Sequence, residues 1–170
     1  MTIRLRRIED ARDLACLRPV ILEYFQFISA ELARHHDAAL LPEKPVDAMF
    51  ANPDRFLPPL GQTLLAEDDS GILGTVALKA LDAERVEIKR LYVRPLAQGR
   101  GLGKALLDET KTIARDMGAR EMYLDTLRSL AAALALYRAS GFEDTTLYPG
   151  ADIGEDPVIL PHAIFMKCDL

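Results

Sequence analysis

The segment EIKRLYVRPLAQGRGLGKAL, residues 87–106, decides the fold that this sequence predicts. Its first seven residues include Ile, Leu, Tyr and Val side chains, which are typical of a strand. The loop that follows leads into a helix and contains three glycines, at positions 99, 101 and 103. Amide groups at a helix start have no intrahelical partner, and glycines let an anion approach them. We therefore predict a strand, an anion-binding loop and a helix, with Arg100 and Lys104 adding positive charge.

The strand predicted at residues 85–93 changes phase midway. Val86 and Ile88 share one parity, whereas Leu91 and Val93 share the other. Because side chains alternate between the faces of a strand, such a switch indicates either a β-bulge or a strand buried on both faces. We favour the bulge.

Two common phosphate-binding motifs do not fit the glycine loop. A P-loop requires glycine at position 98 and Ser or Thr at 105, where this chain has Gln98 and Ala105. A dinucleotide-binding fingerprint requires glycine at position 104, which is Lys104. The pattern that fits is Gln-x-x-Gly-x-Gly, at Gln98, Gly101 and Gly103.

Hydrophobic periodicity predicts further strands and helices on both sides of this segment. Strands are predicted at residues 3–7, 63–67, 72–81, 121–126, 142–147 and 163–168. Helices are predicted at residues 10–36 with a kink or break at Pro19, near 46–51, over a stripe from 106 to 117, and at 129–140. This order indicates one domain over residues 1–170, with an α/β (α+β) fold, a mixed sheet and one parallel crossover around the glycine loop.

The charge distribution argues against a nucleic-acid partner and for a small anionic ligand. The net charge is −5, whereas duplex binding needs a basic surface. Residues 84–104 nevertheless hold six cationic and two anionic side chains. Such a local concentration suits a small polyanion better than a polymer. A solvated hairpin with its own salt bridges explains the same charges equally well.

The remaining composition is that of a cytoplasmic protein without a membrane span or a metal site. The chain has no run of eighteen uncharged apolar residues, and its start lacks a signal-peptide pattern. Cys16 and Cys168 lie far apart without metal-ligand spacing, which predicts buried free thiols. His35 and His36 are consecutive and have no accompanying carboxylate–histidine cluster, so we predict no metal.

The whole stretch from residue 87 to 142 resembles the coenzyme A-binding core of the GNAT superfamily of N-acetyltransferases. It does so through the strand EIKRLYV, the Gln-x-x-Gly-x-Gly loop, the strand MYLDTL and the helical AALALYRASGF, in that order and spacing. The flanking LPPLGQTLLAE and FMKCDL resemble one bacterial branch. The resemblance covers residues 60–170 well and the N-terminal helices only in type. It implies a mostly antiparallel sheet of six to seven strands, helices on both faces and a splayed central strand pair.

The resemblance also implies acetyl-CoA as cosubstrate and a set of residues that bind it. Backbone groups of the strand before the loop would pair with the pantetheine arm, at Leu91, Tyr92 and Val93. The loop would hold the pyrophosphate through Gln98, Gly99, Arg100, Gly101, Leu102, Gly103 and Lys104. Many relatives carry an asparagine where this chain has Leu130, so Ser129 or a backbone group would replace that contact.

Two catalytic residues are implied by the same resemblance. Tyr137 would donate a proton to the departing thiolate, the alternative being a core tyrosine. Glu87 would act as general base for the amine, the alternative being a salt bridge with Lys89 or an arginine. No arrangement of residues indicates a covalent enzyme intermediate, so direct transfer in a ternary complex is expected.

Three functions remain open at this stage. The first is acetylation of the primary amine of a small molecule, and the second is acetylation of a protein N-terminus or lysine. The third is a non-catalytic acyl-CoA-binding module. The acceptor site is expected to involve the helical Tyr24, Phe25, Phe27 and Glu31 and the segment 149–161. Homodimerisation is compatible with the sequence.

Overall fold

The computed structural model describes residues 2–170, with side chains at all of these positions except 154 and 155. Seven strands form one sheet: β1 (Arg4–Ile8), β2 (Gly61–Asp68), β3 (Gly71–Ala80), β4 (Arg85–Val93), β5 (Glu121–Leu127), β6 (Glu143–Thr145) and β7 (Ala163–Asp169). The strand order is β1-β2-β3-β4-β5-β7-β6. Among the described residues, only β4 and β5 pair in parallel. The predicted mixed, mostly antiparallel sheet is therefore confirmed.

In the part of the chain that the structure describes, five α-helices accompany the sheet: α1 (Ala11–Ala15), α2 (Arg18–His36), α3 (Glu43–Ala51), α4 (Leu102–Asp116) and α5 (Ala131–Ala139). The predicted interruption at Pro19 is a junction of two helices, because the proline lies in the first turn of α2, where its missing N–H costs nothing. In α4 the predicted stripe is buried, and Gly118 follows it with a φ of 85°. β6 is shorter than the predicted 142–147. None of the helices in residues 2–170 is long and apolar enough to cross a bilayer.

The core is divided by the sheet into two apolar layers. Neighbouring residues on one strand face opposite layers: Leu64 packs in the layer beneath α4 and α5, and Leu65 in the layer beneath α1, α2 and α3. Both leucines are almost fully buried, and each such side chain contributes roughly 1.5–3 kcal/mol of transfer free energy. Helices therefore cover both faces, as expected.

Both cysteines are free, but Cys16 is exposed rather than buried, because it ends the surface helix α1.

The predicted bulge in β4 is confirmed. Between the pairs Thr75–Tyr92 and Ala77–Lys89, β3 has one residue and β4 has two. Arg90, the first of those two, has a φ of 56°. This left-handed conformation costs a side chain larger than glycine about 1–2 kcal/mol. The bulge explains the change of phase in the sequence, because every side chain after it is displaced by one position.

The central strand pair is splayed. The parallel register of β4 and β5 ends at the pair Ile88–Leu124, although β4 continues to Val93 and β5 to Leu127. Beyond this pair the two strands separate, and each keeps only its ladder with the strand on its other side, β3 or β7. We call this opening the β4–β5 gap. It begins beside the bulge, since Arg90 lies only two residues after Ile88.

Candidate functional site

A cleft of about 1210 Å³ occupies the β4–β5 gap. The glycine loop and the start of α4 line one end of it, and α5 lines the middle. At the other end lie α2, α3 and the loop around residues 150–159. This arrangement places one continuous space beside the predicted anion-binding loop, the predicted catalytic helix and the predicted acceptor region.

Nine of the ten residues predicted to bind coenzyme line this cleft: Leu91, Tyr92, Val93, Gln98, Gly99, Gly101, Leu102, Gly103 and Lys104. Arg100 is not among the lining residues. Its guanidinium lies 3.9 Å from the carboxylate of Asp68 in β2. The charge of Arg100 therefore has a protein partner, and its part in anion binding stays a prediction.

The glycine loop exposes backbone because two of its glycines are left-handed. Gly99 and Gly101 have φ values of 75° and 76°, a region that glycine adopts without strain. A Cβ atom on either glycine would meet no atom within 4 Å, so free space lies beside both. Gln98 donates from Nε2 to the carbonyl of Val93 at 3.0 Å and ties the loop to the end of β4. No acidic residue lies in the first turn of α4 that would compete for its amides.

Valine at position 101 is expected to weaken coenzyme A binding by well over tenfold. The side chain would fill the free space beside the loop amides and keep a phosphate away from them. Gly118→Val is a matched control, because Gly118 has a φ of 85°, similar free space and no place in the cleft lining. Both variants carry the strain of a β-branched residue at positive φ, about 1–2 kcal/mol. Calorimetric titration with coenzyme A measures the effect, and equal affinity of the two variants would mean that the loop does not hold the phosphates.

Tyr137 lines the middle of the cleft and is 6% exposed. Its ring packs edge-on against Phe142, with centroids 5.8 Å apart. Its hydroxyl forms no hydrogen bond with any residue that the structure describes. Burial raises the pKa of this hydroxyl, and the nearby Tyr24 and Asp125 raise it further. Tyr137 is therefore a neutral proton donor without a protein acceptor, facing ligand space.

Glu87 lies behind the cleft wall rather than in it. Its side chain is fully buried and is not among the residues that line the cleft. Tyr148 donates a hydrogen bond to Oε1 at 2.7 Å, and Lys89 donates to the same oxygen at 3.0 Å. Lys79 lies 2.9 Å from Oε2. The salt bridge with Lys89, which the sequence left as the alternative, is present. A direct role as base stays a prediction.

Glu87 belongs to an ionic network of six alternating charges. In order, these are Asp125, Lys89, Glu87, Lys79, Asp152 and Arg55. Successive N–O distances are 2.6, 3.0, 2.9, 2.7 and 2.8 Å. Its three carboxylates and three cations balance. The inner members, Glu87 and Lys79, are buried, whereas Arg55 and Asp152 at one end are exposed. The two groups at each end of the network line the cleft, whereas the two in its middle do not.

The pKa values of two network members reflect this pairing. Burial opposes the charge of Asp152, but hydrogen bonds from Lys79 and Arg55 lower its pKa to about 2. Burial likewise opposes the charge of Lys89, yet Asp125 and Glu87 hold its pKa above the usual range. Asp152 and Lys89 are therefore both charged throughout the neutral pH range.

Aromatic rings surround the acceptor end of the cleft. We call this region the aromatic half, defined by Tyr24, Phe25, Phe27 and Phe56, all of which line the cleft. Arg90 also lines the cleft, and its guanidinium lies over two of these rings, 4.8 Å from the centroid of Phe56 and 5.6 Å from that of Phe25. Burial lowers the pKa of Arg90.

Sequence reasoning found only some of these groups. Tyr24, Phe25, Phe27 and Glu31 line the cleft, as do parts of the segment 149–161. Arg90, Asp125, Asp152 and Tyr148 were not singled out. The sequence could have indicated Arg90 and Asp125 as site residues, because each is a charged residue inside a strand that is otherwise apolar.

Two residues just before α5 occupy the place where the resembled family has an asparagine that contacts the coenzyme. Leu130 lines the cleft where many relatives of the resembled family carry asparagine. The neighbouring Ser129 also lines the cleft, and its buried Oγ forms no hydrogen bond within the part of the chain that the structure describes. Its hydroxyl therefore has no hydrogen-bond partner among the described residues. Across residues 2–153 and 156–170, no three His, Cys, Asp or Glu side chains form a metal-ligand cluster.

Comparison with known proteins gives matches in both sequence and fold. Residues 26–142 match the model of the acetyltransferase (GNAT) family. An uncharacterized N-acetyltransferase of Schizosaccharomyces pombe is 32% identical over 171 aligned positions, covering 99% of this chain and 95% of that protein. The ribosomal protein bS18-alanine N-acetyltransferase of Escherichia coli is 31% identical over 101 positions, covering 57% of this chain and 68% of that protein. The PaiA N-acetyltransferase of Thermoplasma acidophilum, solved in complex with coenzyme A, superposes over the full length of both chains with a TM-score of 0.73 and 21% identity.

Proposed function

Because the chain belongs to the acetyltransferase (GNAT) family, we propose that it transfers an acetyl group from acetyl-CoA to the primary amine of a small molecule. The transfer is direct, within a ternary complex of enzyme, acetyl-CoA and acceptor. The observation that carries the proposal is that one continuous cleft occupies the β4–β5 gap. It joins the glycine loop at one end to the ionic network and the aromatic half at the other, with Tyr137 between them.

The coenzyme is assigned to the end of the cleft beside the glycine loop. Amides from Gln98 to Lys104 bind its pyrophosphate, and backbone groups of β4 at residues 91–93, beyond its pairing with β5, bind the pantetheine arm. The coenzyme A complex of the PaiA relative supports this assignment by its shared fold. The Ser129 hydroxyl supplies a further polar contact from the α5 side.

The reaction needs two proton movements. The acceptor amine attacks the thioester carbon, and the carbon–sulfur bond breaks as the tetrahedral intermediate collapses. The departing sulfur takes a proton from the Tyr137 hydroxyl, which burial keeps protonated at neutral pH. The attacking amine must lose a proton to a carboxylate. Asp125 lines the cleft and accepts this proton, and the Tyr137 phenolate regains a proton from water when coenzyme A leaves. Glu87 contacts Lys89 behind the cleft wall and does not itself line the cleft.

The walls of the acceptor end favour a small molecule over a protein. Helices α2 and α3 lie on one side of it, and residues 150–153 of the loop before β7 lie on another. Side chains from these helices and this loop border this end of the cleft, as a pocket for a small molecule requires. Acetylation of a protein or peptide remains the second candidate function.

The test is an assay of thiol release from acetyl-CoA with a panel of small amines and short peptides. We expect release with at least one class of small amine and little release with peptides. Faster turnover of peptides would replace the proposal by the second candidate. No release with any amine, in a protein that binds acetyl-CoA, would indicate a non-catalytic binding module.

Acetyl-CoA itself is expected to stabilise the folded protein. At about 100 times its dissociation constant, a ligand that binds only the native state adds roughly 2.7 kcal/mol to the free energy of unfolding. For a domain of this size that corresponds to an increase of about 5–10 °C in Tm. Differential scanning calorimetry measures it, with the Gly101→Val variant as the control. Absence of any shift at millimolar acetyl-CoA would contradict the coenzyme site.

A further inference from the structure

Arg90 is the one cation of residues 84–104 without an anionic partner among the side chains that the structure describes. The other five each have a carboxylate oxygen within 4.0 Å: Arg85, Lys89, Arg94, Arg100 and Lys104. The Nε and Nη1 atoms of Arg90 are buried and form no hydrogen bond. A guanidinium remains protonated in proteins, and a buried cation without a partner is costly. The aromatic half of the cleft therefore carries a positive charge that no described side chain pairs with.

The neighbouring carboxylates do not supply that anion. Asp125, Glu87 and Asp152 are the acidic groups whose fields reach Arg90, and all three belong to the ionic network. Each has a cation of the network within 3.0 Å, and the network is neutral as a whole. Tyr24 is also close, but burial raises its pKa to about 12, so its hydroxyl is uncharged at neutral pH. The positive charge of Arg90 is thus surplus.

The position of Arg90 is held by its surroundings. The bulge places it in the left-handed region, and the rings of Phe56 and Phe25 lie against its guanidinium. These rings attract the cation but offer no hydrogen-bond acceptor. A guanidinium carries its N–H groups in a planar fork that matches the two oxygens of a carboxylate. Arg90 is therefore oriented for an anion that enters with the ligand.

We propose that the acceptor is an amino acid with an apolar or aromatic side chain, and that Arg90 binds its carboxylate. This inference rests on the proposed function, since it names the class of amine that the same cleft acetylates. The amine of the acceptor then lies near Asp125, whose Oδ2 accepts from Lys89. The apolar side chain packs among Phe25, Phe27 and Met49, which line the same end of the cleft.

The first test compares matched acceptors in the thiol-release assay. L-Phenylalanine and L-leucine are paired with their amides and with the decarboxylated amines, at equal concentrations of free amine. The wild-type protein is expected to show a kcat/KM at least tenfold higher for the amino acid of each pair. Arg90→Gln and Arg90→Met should reduce this preference to below threefold, and Arg90→Lys should retain part of it. These side chains are unbranched at Cβ, so all three variants keep the same backbone strain as the arginine.

The second test measures binding without turnover. N-Acetyl-L-phenylalanine is titrated calorimetrically into the wild type and Arg90→Met, with coenzyme A titrated into both as a check of folding. We expect the affinity for the acetylated amino acid to fall at least tenfold in the variant, with the affinity for coenzyme A changed less than twofold.

The outcomes separate this inference from the proposed function. Turnover of amines and amino acids without preference, together with equal binding of N-acetyl-L-phenylalanine by both proteins, would overturn the role of Arg90 and leave the acetyltransferase intact. Absence of turnover with every amine would overturn the proposed function. The titration would in that case still decide whether Arg90 holds a carboxylate.

Discussion

Replacement of Tyr137 by phenylalanine is expected to lower kcat by about 10²-fold, the lower end of the range for general acid catalysis. The variant keeps the ring that packs against Phe142 and removes only the hydroxyl. The lower end is expected because burial raises the pKa of the hydroxyl, which makes it a weaker acid toward the departing sulfur. The affinity for acetyl-CoA should change little, because the hydroxyl acts mainly in the transition state. Steady-state kinetics beside calorimetric titration provide both numbers.

Tyr123→Phe is the matched control for this experiment. Tyr123 is also a buried tyrosine, but its hydroxyl donates to Glu121 at 3.0 Å and it is not among the residues that line the cleft. Its variant should retain wild-type turnover. If Tyr137→Phe also retained it, Tyr137 would be a packing residue. Loss of coenzyme affinity at unchanged kcat would make it a binding residue only.

Replacement of Glu87 by glutamine is expected to lower the free energy of unfolding by about 3–5 kcal/mol. The change leaves Lys79 and Lys89, both largely buried, facing a neutral amide at 2.9 and 3.0 Å. Asp144→Asn is the control, because it breaks an exposed pair with Arg138 and such pairs contribute about 0–1 kcal/mol. Urea unfolding at neutral pH measures all three proteins.

A second substitution tests whether charge balance is the cause. Glu87→Gln combined with Lys79→Met removes both inner charges of the ionic network. Two closed pairs then remain, Asp125–Lys89 and Asp152–Arg55. The double variant should regain part of the lost stability. If it is no more stable than the single variant, the loss arises from the hydrogen bond of Tyr148 or from packing instead.

Local sequence patterns were sufficient to predict most of the fold. The strand and helix positions follow from periodicity, and the bulge in β4 follows from the parity of Val86, Ile88, Leu91 and Val93. Predictions failed mainly at ends: β6 comprises Glu143–Thr145 because only these residues pair with β7. Such limits depend on the partner strand, which the local sequence does not reveal.

The candidate site was predictable where it is contiguous in sequence and not where it is assembled over long distances. The glycine loop and the β4 backbone lie within one segment, and both line the cleft as expected. The surroundings of Glu87 depend instead on Tyr148, 61 residues away, and Asp152 meets Lys79 across 73 residues. A glutamate inside a strand is compatible with a base or an ion pair until those distant partners are known.

The bulge at Arg90 makes the binding site depend on how many residues β4 contains. Loss of a single codon there would restore a regular strand, and the side chains after it would return to the opposite face. Leu91 and Val93 would leave the cleft, and β4 would regain a register in which it can continue pairing with β5. A point substitution changes one contact, whereas this deletion would remove the opening itself. In an alignment of related chains, a gap within β4 (Arg85–Val93) therefore indicates that the β4–β5 gap itself is lost.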